Sequence, residues 1–140
     1  MTLKDSQHRT PRHLLPLLAL AFGWITPPSP AAPTFANGTN TGNVAIAALT
    51  ECSGLIASRN NADVLWAHND SGDSARILAL DTQGRRLGTY NLTGASHTDY
   101  EDIAIGPGPL PNVSYLYVGD IGDNNENRSN IRVYQIPEPA

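Results

Sequence analysis

The sequence predicts an all-β protein, and three observations carry that prediction. Short runs of aliphatic, aromatic and β-branched residues recur at spacings of about ten residues with turn-forming residues between them. A stretch of about fifty residues occurs twice. Beyond the N-terminal leader no segment has helical periodicity.

The elements follow in chain order. Lys4 to His13 is basic, Leu14 to Ile25 is apolar and Thr26 to Ala36 is small and proline-rich, the order of a secretory signal peptide. The apolar stretch is too short to span a bilayer, and Pro16 together with the later prolines argues against a buried helix. Residues 1–31 are therefore expected to be removed, with cleavage after Ala31 or, as a second site, Ala36, and the mature chain to be secreted or periplasmic. No cysteine directly follows either site, so no lipid anchor is expected. The remainder carries six Arg, no Lys and twelve Asp and Glu. That balance excludes a basic nucleic-acid surface and favours cations, and no run is long enough for a membrane span in the mature form. Cys52 has no partner in the chain and is expected to be a small buried residue.

Residues 32–50 read as a flexible lead-in, with a strand or connection starting near Val44. Strands are then expected at Gly54–Ser58, Val64–His68, Arg76–Asp81 and Leu87–Leu92, and again at Asp102–Ile105, Tyr115–Gly119 and Ile131–Ile136. Asn60-Asn61, Asp70-Ser71-Gly72-Asp73, Gln83-Gly84-Arg85 and Pro107-Gly108-Pro109 supply turns between them.

The internal repeat organises these strands. Glu51 aligns with Glu101, Leu65-Trp66-Ala67 with Leu116-Tyr117-Val118, and Asp70-Ser71-Gly72-Asp73 with Asp120-Ile121-Gly122-Asp123. Its length suits a β-propeller blade, so residues 51–98 are expected to form a first blade and 99–140 a second, truncated one. Rings close with roughly 4–8 blades, so the remaining blades are expected from a longer chain. A small β-sandwich is the alternative. Trp66 and Tyr117, equivalent in the two copies, are expected to pack between blades.

Acidic turns are the candidate sites. Glu51, Asn69, Asp70, Asp73, Glu101, Asp102, Asp120, Asp123 and Asn124 offer the oxygens that a hard divalent cation such as Ca²⁺ takes. Two other readings compete: turns in which Asp and Asn bond nearby backbone, and strand-end caps for Glu51 and Glu101. His68, beside an acidic turn, is the candidate catalytic base, against a structural role at a strand end. No nucleophile elbow, zinc-protease motif or phosphate loop is present.

Glu51-x-Ser53-Gly54-Leu55, Leu65 to Asp73, Asp99 to Ala104, and Leu116 to Asn124 with Tyr134 and Glu138-Pro139 resemble a group of bacterial secreted β-propeller-like proteins of uncharacterised function. More distantly, the Glu-led strand is similar to the start of gluconolactonase-type and phytase-like propellers. The resemblance implies a propeller fold and a channel cation held by Glu, Asn and Asp, and no particular substrate. The expected function is a binding or scaffold module with cation-binding acidic turns and a small-molecule or protein ligand. The alternative is a metal-dependent lactonase or phosphoesterase in a longer chain, with Glu51 or Glu101 as ligand and His68 as base.

Overall fold

Apolar runs bounded by turn residues fold as seven strands: β1 Cys52–Ala57, β2 Val64–Asn69, β3 Arg76–Asp81, β4 Arg86–Asn91, β5 Tyr100–Pro107, β6 Ser114–Asp120 and β7 Arg132–Pro137. The computed structural model describes residues 31–140, so the signal-peptide reading of residues 1–30 lies outside the described residues. The chain divides into two units, Met1–Ala36 and Asn37–Ala140, and every strand belongs to the second. No helix occurs among the described residues, and each expected strand is present to within two residues or so at either end.

The strands form two antiparallel sheets in sequence order, β1-β2-β3-β4 and β5-β6-β7, as successive hairpins require. Asp63 and Asn112, each just before the second strand of its sheet, take the left-handed conformation at φ 59° and 62°, which Asp and Asn tolerate best after Gly. No closed ring or barrel forms among the described residues, and the architecture is consistent with two incomplete blades or a small sandwich.

Both sheets follow one register plan. Ile56 pairs with Trp66 and Trp66 with Ala79 in the first; Ala104 pairs with Tyr117 and Tyr117 with Gln135 in the second. A bulge interrupts the first strand of each at the same place, between Cys52 and Gly54 and between Tyr100 and Asp102. Glu51 is therefore the counterpart of Asp99, and Ser53 of Glu101. This corrects the sequence alignment of Glu51 with Glu101. The β5–β6 hairpin is longer through its strands, with β5 of 8 residues against 6 in β1 and β6 of 7 against 6 in β2, so one constant offset cannot align all the strands.

Period-two alternation gives each sheet two faces. A core of Trp66, Ile77 and Ala79 from the first sheet with Tyr100, Ile103, Leu116 and Val118 from the second lies between them, flanked by Ile56, Tyr134 and Ile136. The other face of the first sheet, Ala67, Leu78 and Leu80, is covered by Leu49 with Ile46 and Ala48. Removing this surface from water is the main stabilising term, about 25 cal/mol per Å² of apolar area. Near Val44 there is thus no strand; a tight turn closed by the Leu49 N–H on the Ile46 carbonyl (2.9 Å) packs there instead. Two further expectations change. Tyr117 is only half-buried, because it lies on the second sheet's uncovered face, and Cys52 is exposed at the start of β1, ahead of the bulge.

Glu138 closes the far end. Its Oε1 accepts from the Ser58 hydroxyl, the Arg59 N–H (3.0 Å) and the Trp66 indole N–H (3.1 Å), while its own N–H donates to the Ser114 carbonyl (2.8 Å). The residue after β7 thus grips the β1–β2 turn of the first sheet. Burial opposes its ionised form, but the hydrogen bonds from Ser58 and Trp66 outweigh burial and hold its pKa below the usual glutamate value. A depressed pKa means that its contribution is complete above the unfolded value of about 4.3 and is lost as pH falls through the folded one. Glu138→Ala is expected to cost about 3 kcal/mol in chemical denaturation, since it strands buried donors. Glu138→Gln should lose less at neutral pH and flatten the acid limb of the stability curve.

Candidate functional site

The candidate site lies where the chain leaves β2 and where it enters β5. Asp70 follows β2, Asp99 precedes β5, and Glu101 is the bulge residue of β5. Their carboxylate oxygens lie within 4.8 Å of one another. A bulge residue leaves the ladder, which is how Glu101 is turned from the strand toward the other two.

Backbone bonds fix the three carriers. The Asp70 N–H donates to the Glu51 carbonyl (2.7 Å), the Asp99 N–H to Asp120 Oδ1 (2.9 Å), and the Asp99 carbonyl accepts from Gly122 N–H (3.1 Å). Gly122 is required by close approach: a Cβ there would come within 2.5 Å of Asp99 Oδ2 and overlap Glu101 Oε1.

Asp99 is 4% exposed, and its Oδ1 has no hydrogen-bond partner in the protein. Burial raises its pKa, and the adjacent Asp70 carboxyl raises it further, against the Asn124 N–H and Arg128, which lower it. It lines a cleft of about 260 Å³ together with Ser71, Thr98, Asp123, Asn124 and Arg128. Carboxylate, hydroxyl and amide groups of the kind a hard cation takes stand there beside the Arg128 guanidinium, and Asp70 and Glu101 lie outside the lining.

Of the remaining candidates, Asp123 and Asn124 line the same cleft as Asp99, and the others are engaged apart from the triad. Asn69 and Asp120 occupy equivalent places and do the same work: Asn69 Oδ1 accepts from Glu51 N–H (3.1 Å) as Asp120 Oδ1 accepts from Asp99 N–H. Asn69 Nδ2 donates to Asp73 Oδ2 (2.6 Å), which also takes Arg76 Nε (2.9 Å). Burial works against the Asp73 carboxylate, but these bonds outweigh it and lower its pKa. Asp120, fully buried, is paired with Arg128 (2.9 Å). Asp123 accepts the backbone N–H groups of Arg128 and Asn127, which lower its pKa and make it the anchor of a local turn. Asp102 is exposed on the second sheet's outer face beside Ala104 and Val133, and Glu51 is exposed ahead of β1. Asn124 reaches the site through its backbone N–H on Asp99.

His68 is fully buried. Its Nδ1 donates to the Asn69 carbonyl (2.9 Å), its Nε2 lies over Gly54, where no Cβ fits, and its ring meets Tyr100 edge-on at 5.5 Å. The ring fills the bulge of the first sheet and offers solvent no nitrogen. Asp99 is the site residue absent from the sequence-based set. Its signal in the sequence is the Asp99-Tyr100-Glu101-Asp102 cluster, which aligning Glu101 with Glu51 conceals. No family model matches the chain, and no match is found among curated proteins or solved structures.

The site sets a pH dependence opposite in sign to that of Glu138. A raised Asp99 pKa means stability that is complete below the unfolded value of about 3.9 and lost as pH rises through the folded one. Cation-free protein is expected to lose stability over that rise, and Asp70→Asn to reduce the loss; melts across the acid range measure both.

Proposed function

We propose that the chain is a binding and scaffold module of blade-like sheets in which Asp70, Asp99 and Glu101 hold a divalent cation between the two repeats. The supporting observation is the meeting of three carboxylates from both sheets at a buried Asp99 with an unpartnered oxygen. Left without a counter-ion, Asp70 and Asp99 repel; a cation turns that cost into attraction. Oxygen-only donors favour Ca²⁺ over softer metals, and the cleft leaves room for water or amide oxygens to complete a shell of 6–8 ligands. Bound there, the ion would tie the exit of β2 to the entry of β5 and act as a second fastening between the sheets, at the end opposite Glu138.

Thermal melts of chelated protein with and without added Ca²⁺ test this. A hundredfold excess over Kd is expected to stabilise the fold by about 2.7 kcal/mol, a midpoint rise on the order of 10 °C. Asp99→Asn and Gly122→Ala are each expected to abolish the rise, whereas Asp63→Asn, exposed in the β1–β2 turn away from the triad, keeps it. An unchanged midpoint in the wild-type chain would refute the cation site.

A further inference from the structure

The two sheets hold equivalent residues by different means. Glu51 and Asp99 are counterparts, and each donates its N–H to the side chain that ends the neighbouring strand, Asn69 Oδ1 (3.1 Å) in one sheet and Asp120 Oδ1 (2.9 Å) in the other. Residues 70–75 lead from β2 to β3, whereas the longer run 121–131 leads from β6 to β7 and brings Arg128 back over the end of β6. Glu51 is exposed and Asp99 is buried.

Arg128 reaches both supports of Asp99 with one nitrogen. Its Nη1 donates to Asp120 Oδ1 (2.9 Å), the oxygen that accepts the Asp99 N–H, and to the carbonyl of Gly122 (2.7 Å), whose N–H donates to the Asp99 carbonyl (3.1 Å). The arginine is itself seated. Its Nε donates to the Asn130 carbonyl (3.1 Å), its N–H to Asp123 Oδ2 (2.9 Å), and its side chain is 11% exposed. In the first sheet Arg76 instead spans Asp73 and the Ala48 carbonyl (3.2 Å), so it does not brace Glu51.

We propose that Arg128 is the positioning residue of the cation site, holding Asp99 where its unpartnered Oδ1 can meet the ion. This rests on the cation reading above. Calcium takes its oxygens at about 2.3–2.6 Å, so a small shift of the Asp99 backbone carries the ligand out of range. The charge of Arg128 acts the other way, because a guanidinium beside the ion repels it. Bracing and repulsion therefore predict opposite changes in affinity when the side chain is removed. The partners favour bracing: the fully buried Asp120 offsets the charge, and no other side chain among the described residues joins Asp120 to Gly122.

Calorimetric titration of the chelated full chain with Ca²⁺ at about pH 8, where carboxylates of ordinary pKa are ionised, tests it. Arg128→Met is expected to weaken binding at least tenfold, the low end of what such outer partners contribute, while circular dichroism stays that of the folded chain. Arg128→Lys should recover most of that loss, since one nitrogen makes both bonds. If Arg128→Met does not fold in chelator, Arg128→Gln takes its place. Arg76→Met, which loosens the first sheet, should lower the melting midpoint and leave the affinity unchanged. An affinity for Arg128→Met equal to or above that of the wild type, a loss that Arg76→Met shares, or no recovery in Arg128→Lys would overturn the inference and leave the cation site standing. A wild-type chain that binds no Ca²⁺ would remove both.

Discussion

Trp66 lies in the core between the sheets and donates its indole N–H to Glu138, so apolar burial and a charged hydrogen bond meet at one side chain. Area burial alone has no direction, and it would let the sheets slide or rotate. The Glu138 carboxylate supplies direction because its donors, on Ser58, Arg59 and Trp66, all belong to the first sheet and its turn, while its backbone is fixed to Ser114 of the second. A buried carboxylate held by several donors costs more to strand than it returns as a net bond, which makes such a contact better at specifying an arrangement than at deepening it.

With the stacking fixed, the position of everything else follows from which faces are covered. Placing the Trp66 face of the first sheet against the Val118 face of the second brings the start of β5 alongside the end of β2. The bulge at the start of β1 and β5 is common to both sheets, but the residue it expels differs. In β1 it is Ser53, whose hydroxyl donates to the Tyr100 carbonyl (2.7 Å) and ties the sheets together. In β5 it is Glu101, which joins the acidic triad. One backbone irregularity thus yields a structural link in the first repeat and a candidate ligand in the second.

Seven strands and their order were legible in the sequence because each is a short run of β-forming residues between strong turn residues, a local signal. What the sequence hid was relative placement. Anchoring the repeats on Glu51 and Glu101 made two glutamates equivalent that the ladders separate, and so concealed the equivalence of Glu51 with Asp99. The sequence leaves Asn69, Asp73 and Asp120 open between ligation and local bonding for a related reason. Asx-type bonding and cation ligation use the same residue types at the same turns, and only the partners, Arg76 for Asp73 and Arg128 for Asp120, tell them apart. Equivalent aromatics in two repeats predict inter-blade packing for both Trp66 and Tyr117, but sequence equivalence carries no information about whether a face is covered.

Those arginines also bear on the triad. Asp73 is matched by Arg76, and Asp120 by Arg128, whose Nη1 also donates to the Gly122 carbonyl (2.7 Å). Both cations are thereby engaged by carboxylates whose task is to lock strand ends. Asp70, Asp99 and Glu101 are left with no salt-bridge partner among the described residues. Had they been structural acids of the same kind, an arginine or a full set of backbone donors would be expected at each. Instead Asp99 keeps an unpartnered oxygen in a buried position, where its neighbour Asp70 makes ionisation harder. An arrangement that balances its locking carboxylates and leaves three others unbalanced at one point supports a site whose missing charge comes from solution.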